Sequence, residues 1–227
     1  SSMGREDELA AVEGRAQSWA AGSMAVSAVV GGLLATVDLR LGHGLSALSA
    51  AAAVGLALGF CEPERCRPAE RPLAQLREVG RSLRSPMLRW VFVFVVAMTV
   101  FNHVPYELAQ PYLHLVLDAR SSGAFTPVVS GVMMGCMMGL AAFASRWSEP
   151  LGRRVGVTAV LLGTMALQGL VMVGMAAVVH PAVVVLLLAR SVPGALSRPL
   201  ELQCVLPNVG AHLRATYLSV QSLVGRL

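Results

Sequence analysis

The chain has 227 residues, 55% of them hydrophobic and only 14% charged, with a mean hydropathy of +0.64. A soluble domain carries about 25% charged residues, so this balance argues against an ordinary soluble protein. The net charge is +5 and every basic side chain is arginine; the arginines lie between apolar segments, which ties them to membrane topology rather than to nucleic acid.

A helix needs about 20 mostly apolar residues to cross the hydrocarbon core. The chain opens on Ser1-Ser2-Met3 and a polar, acidic stretch, with no basic and then apolar signal region. Residues 16–37 are uncharged and read as a first span, and 42–60 as a second, joined by a short polar turn from Asp38 to Gly44. Residues 61–89 are polar and rich in Arg, Glu and Pro. Within them Leu73, Leu76, Val79 and Leu83 recur near helical spacing, with Arg77, Arg81 and Arg84 on other faces. A short amphipathic helix at the membrane surface and a disordered linker are both open readings.

A third span covers 90–117, interrupted by Glu107. Spans over 121–145 and 155–179 are uncharged. A sixth, 182–204, contains Arg190 and Arg198, and a seventh begins at 215 and stops at Leu227 inside its apolar pattern. The expected fold is therefore all-α: a polytopic transmembrane helix bundle, incomplete at both ends. Residues 1–60 would close an N-terminal half, 61–89 would be a connecting loop, and 90–227 a C-terminal half.

Arginine placement orients these spans. Arg5 and Arg15, the seven arginines of the long loop, Arg146, Arg153 and Arg154, and Arg198 and Arg214 all fall on one side of the alternation. Only Arg40 and Arg120 fall on the other. The positive-inside rule places the long loop in the cytoplasm. Cys61 and Cys66 have no partner cluster with metal-ligand spacing, and Cys136 and Cys204 read as small packing residues in apolar segments. No disulfide framework, metal or cofactor is expected.

Charged groups at membrane depth are costly and become functional candidates by default. Asn102, Tyr106 and Gln110 recur at i, i+4, i+8 on the third span, and His103, Glu107 and Gln110 on the adjoining face. Pro105 and Pro111 should bend this helix and free carbonyls. A bent polar helix suits a substrate pathway, and a carboxylate at Glu107 can bind and release a proton. Glu107 lies roughly 25 Å along the span, past the midplane, so a hydrated structural place at its outer mouth is also open. Arg190 lies about 13 Å into the sixth span; a substrate contact and a structural ion pair with Glu107 or Glu201 are both open. Gln168 is a lone polar residue of the fifth span, suited to an interhelix hydrogen bond or to the pathway. Gly131, Gly135 and Gly139 make a smooth ridge for helix packing, flanked by Met133, Met134, Met137 and Met138. Arg146, Arg153 and Arg154 are candidates for a cytoplasmic gate built from interhelix ion pairs; topology alone also accounts for them.

Three local patterns carry a family resemblance. Gly14-Arg15 leads into a span containing Gly31-Gly32. Arg146-Trp147-Ser148-Glu149-Pro150-Leu151-Gly152-Arg153-Arg154 reads as a short basic turn between two spans. Leu206-Pro207 precedes Arg214-Ala215-Thr216-Tyr217-Leu218-Ser219. Together with Glu107-Leu108-Ala109-Gln110-Pro111-Tyr112-Leu113, they resemble helices five to eleven of the twelve-helix major facilitator superfamily. The basic turn resembles the degenerate second copy of that family's Gly- and Arg-rich cytoplasmic loop, although Glu149 is its only acid. The resemblance implies a secondary active transporter of a small solute, working by alternating access. Efflux is favoured over uptake, protons are a candidate coupling ion, and a bacterial inner membrane and a monomeric state are expected.

The alternatives are a channel or a non-transporting membrane protein. A membrane enzyme would show a nucleophile, paired carboxylates or a metal motif, and none is read here. A retinal receptor needs a lysine for its Schiff base, and the chain has none.

Overall fold

The computed structural model describes residues 9–60, 72–117, 126–177 and 183–226, the side chains of 9, 10, 39, 72, 104–117, 126 and 183 excepted. All regular structure among the described residues is helical. In chain order the helices are α1 (Leu9–Val37), α2 (Leu39–Leu58), α3 (Pro72–Ser82), α4 (Pro86–Leu117), α5 (Thr126–Val155), α6 (Val157–Ala177), α7 (Val183–Ala189), α8 (Ser191–Val205) and α9 (Arg214–Val224).

Five stretches are long and apolar enough to cross a membrane: Ala11–Val37, Arg40–Leu58, Pro86–His103, Pro127–Val155 and Val157–Ala177. They are compatible with a multi-pass integral membrane protein. The expected sixth span is divided into α7 and α8 around Arg190. Pro193 has no N–H to offer the Ala189 carbonyl, so the helical ladder is interrupted at this point. The Arg190 amide still bonds the Leu186 carbonyl at 3.0 Å, which keeps the two pieces in line. The expected seventh is the 11-residue α9.

Two expected turns are shorter than the sequence suggested. Between α1 and α2 the polar turn contracts to Asp38, whose extended backbone and side chain cap α2 by accepting the Arg40 amide at 2.8 Å. The basic turn at 146–154 is a correction: α5 continues through it to Val155. Glu149 pairs with Arg153 one turn on at 2.6 Å, and the helix tolerates Pro150 inside it. The real turn is Gly156, whose φ of +95° suits a residue without a Cβ.

The most extensive helix contact is α1 against α5. Small residues make it possible. On α1, Gly14, Ser18, Ala21, Ala25, Ala28 and Gly32 recur at alternating spacings of four and three, which keeps them on one stripe. A methyl at Gly131 would stand 2.5 Å from the Ala28 carbonyl oxygen, and one at Gly32 would stand 2.7 Å from that of Pro127. At the other end, a methyl at Gly14 would stand 2.8 Å from the Ser145 carbonyl oxygen. The helices are therefore antiparallel and in backbone contact over most of α1.

A second core lies between α3, α4, α6, α8 and the α9 region. Val79, Leu88, Phe94, Leu161, Leu200 and Tyr217 are among its buried members. Tyr217 donates its hydroxyl to the Leu88 carbonyl at 3.2 Å and meets Phe92 edge-on. α3 docks through Val79, with Thr216 donating to Gln75 at 2.8 Å, while Leu73 and Leu76 stay exposed. Gly152 abuts Leu200. The start of α1, the end of α5, α3 and the α8–α9 connection thus share one end of the bundle, with Arg15, Arg77, Arg81, Arg84, Arg146, Arg153, Arg154 and Arg214. Arg40 follows Gly32 and Val37 at the opposite end. The outward surface is apolar: Leu48, Leu56, Val93, Leu170 and Val185 are exposed, as is Cys136, which faces away from the packing.

Candidate functional site

α8 places a polar stripe on a buried helix. Arg190 just before it, then Gly194, Ser197 and Glu201, follow i, i+4, i+7 and i+11, so all four stand on one face. Arg190 and Glu201 are each 6% exposed and Ser197 1%. The Ser197 hydroxyl lies 3.3 Å from the Gly194 carbonyl oxygen, and Ser197 and Arg198 both stand beside the Glu201 carboxylate. Arg190 and His103 each have partners of their own. The two prolines of α8 keep this stripe anchored to α5. Pro199 cannot donate to the Ala195 carbonyl; Ser148 of α5 places its hydroxyl 3.5 Å from that oxygen and donates to the Leu196 carbonyl at 2.6 Å. Ser191 lies 2.9 Å from the Met137 carbonyl oxygen of α5.

The stripe borders a cavity of about 670 Å³. Gln17, Ala21 and Met24 of α1 form one wall. Val95, Met98, Thr99, Asn102 and His103 of α4 form another. Met137, Met138 and Ala141 come from α5, and Arg226 follows α9. Asn102 donates to the Met98 carbonyl at 3.0 Å, and the bare Gly194 leaves room beside its amide. Gln17 presents a buried Oε1 with no hydrogen-bond partner. The lining combines apolar Met and Ala surface with a few convergent polar groups, which is the usual make-up of a small-molecule site.

Among the residues expected from sequence, Asn102, His103 and Arg190 line this cavity. The side chains of Tyr106, Glu107 and Gln110 lie outside the described residues, as do those around Pro105 and Pro111, although the α4 backbone is helical through all of them. Gln168 is elsewhere. It sits fully buried on the packing face of α6, with Thr164 and Val171, and neither amide atom has a partner. Gly131 and Gly135 meet α1, whereas Gly139 is exposed and nothing stands within contact of its Cβ position.

The three gate candidates separate. Arg146 reaches across helices and donates Nε–H to the Ser18 hydroxyl at 3.0 Å. Arg153 is occupied within its own helix by Glu149. Arg154 is exposed. Among the described residues these three form no interhelix ion pair. A smaller cavity of about 390 Å³ lies nearby, lined by Gly14, Arg15, Trp19, Ser145, Arg146 and Glu149.

Sequence reasoning missed Gln17, Thr99, Ser197, Arg198 and Glu201 as cavity residues, and treated Arg198 as part of a connection. The i, i+4, i+7, i+11 recurrence in α8 could have revealed Ser197 and Glu201. Gln17 and Thr99 left no such signal, because each is a single polar residue on a small-residue or apolar face. No family model, curated protein or solved structure matches the chain.

Proposed function

We propose that the chain forms part of a secondary active transporter that moves a small solute across a membrane by alternating access. The observation that carries this reading is the cavity itself. Four helices, α1, α4, α5 and α8, converge on it with Arg226 just past α9, and a buried arginine and a buried carboxylate stand on its wall between helices whose outer faces are apolar. Charged groups facing inward from lipid-compatible helices mark solute or proton pathways. The resemblance to helices five to eleven of the major facilitator superfamily supports the same reading, as does the gathering of arginines at one end, which would be cytoplasmic. Efflux is the favoured direction. Glu201 joins Glu107 as a candidate proton carrier, because a carboxylate beside a cavity can exchange a proton with it in one orientation and release it in the other.

The test is gradient-driven flux in proteoliposomes with the intact protein. Glu201→Gln, Glu107→Gln and Arg190→Ala are compared with wild type at equal incorporation. Each should lower flux at least about tenfold, the loss of about 1.4 kcal/mol of stabilisation of the transported state. Unchanged flux in all three would remove these groups from the mechanism. Collapse by an uncoupler and saturation with solute would separate a transporter from a channel.

A further inference from the structure

We propose that this cavity binds an organic anion: one carboxylate or comparable oxyanion on a compact apolar body. The proposal rests on the transporter reading for its biology but on the cavity alone for its chemistry. Among the described lining residues there are three guanidinium groups, Arg190, Arg198 and Arg226, and one carboxylate, Glu201. Glu201 stands three residues from Arg198 on α8 and offsets that charge. With Arg190 engaged by a partner of its own, Arg198 and Arg226 against Glu201 still leave the described lining more positive than negative, and a low-dielectric wall strengthens that field. Guanidinium groups hold carboxylates through paired N–H donors in one plane, which gives direction as well as charge.

Two observations put the cationic groups where a ligand could meet them. Gly225 packs its Cα against Thr99 of α4, where a Cβ would stand 2.8 Å from the threonine side chain. This fixes Arg226 at the level of Thr99 and Asn102. One turn past Gly194, which lies beside Asn102, Arg198 faces the same space and is exposed. Neither arginine makes an ion pair within 4 Å among the described residues, so both remain able to bond an incoming oxyanion. The rest of the wall fixes the body of the ligand. Met24, Met98, Met137 and Met138 supply polarizable, unbranched side chains that adapt to flat apolar groups.

A charge series of one shape tests this: 1-naphthoate, 1-naphthamide and 1-naphthylmethylamine. Binding to the detergent-solubilised intact protein is read by thermal stabilisation, and saturable flux is read in proteoliposomes. Naphthoate should bind at least about tenfold more tightly than the amide, and the amine most weakly. Arg226→Gln and Arg198→Gln should each weaken naphthoate about tenfold while leaving the amide unchanged. Because Arg226 follows α9 on the surface, its variant tests the idea even if changes in α8 impair folding. Equal affinity for naphthoate and amide, preference for the amine, or no saturable binding of naphthoate overturns the anion assignment. Saturable flux of the amine with no naphthoate binding would overturn it while keeping the transporter reading. Naphthoate binding without flux would support the anion site and count against transport.

Discussion

At the scale of single residues, the glycines of α5 show how little separates neighbouring positions. Gly131 and Gly139 are two helical turns apart, yet only Gly131 meets backbone that cannot yield. Gly131→Val should lower stability by about 1–3 kcal/mol through overpacking, read as a fall in the midpoint of thermal unfolding in detergent. Gly139→Ala should leave that midpoint within error or raise it slightly, since nothing stands against its Cβ and alanine favours helix. An equal effect at both positions would contradict the seam. Polar residues behave likewise. Asn102, His103 and Arg190 were legible as cavity residues because each interrupts an apolar run. Glu201 was visible only as a possible ion-pair partner, because Pro193, Arg198 and Pro199 made its surroundings resemble the end of a span. What decided its place was the register of α8, which follows from packing against α5 and not from local composition.

At the scale of elements, the prolines of α8 need help from a neighbour. A helix crossing an apolar region must satisfy its carbonyls internally, and Pro199 leaves the Ala195 carbonyl without its usual donor. Ser148 brings its hydroxyl to that point from α5. Ser148→Ala should therefore cost about 1–3 kcal/mol, the penalty of leaving a buried polar group unmet, measured by the same unfolding assay. No loss would mean that the prolines are accommodated by α8 alone. The existence of most helices was legible from apolar run length. Their ends were not. The basic stretch 146–154 contains Pro, Gly and four charges, all of which argue for a loop. The Glu149–Arg153 pair and the contacts of Ser148 with α8 outweigh those local preferences, and the break moves to Gly156. Amphipathic α3 was legible as a pattern, but its partner was not, because the bonds of Gln75 and Glu78 run to Thr216 and His212, far away in sequence.

At the scale of the whole molecule, the arginine asymmetry is a statement about orientation. With the native cysteines replaced by serine, Arg153→Cys should react with a membrane-impermeant thiol reagent only from the cytoplasmic side, and Arg40→Cys only from the opposite side. Reaction of both from one side would refute the alternation of α1, α2 and α5. The alternation is an expectation from charge alone, because positive charge in connecting segments biases how spans insert without any need of tertiary contacts. The cavity could not be read from charge. It depends on which faces of α1, α4, α5 and α8 converge, and the residues that bring α1 and α5 together are glycine, alanine and serine, which carry no chemical signature beyond their size.

That meeting of α1 and α5 bears on how the molecule could move. From Gly14 against Ser145 to Gly32 against Gly131, the two helices touch through nearly bare backbone, with few long side chains meshed between them. Interlocked knobs and holes behave like gear teeth: turning one helix forces every tooth to disengage. A surface of small residues behaves like a journal bearing. Pulling the helices apart forfeits dispersion along the whole stripe, but tilting or sliding one on the other exchanges one close contact for an equivalent one. The pair would thus resist separation while offering little friction to rotation, so a rocking motion would pivot on this line and the gap would open on the flank formed by α4 and the end of α9. α8, tied to α5 through Ser148 and Ser191, would travel with α5, and so would the polar stripe it carries.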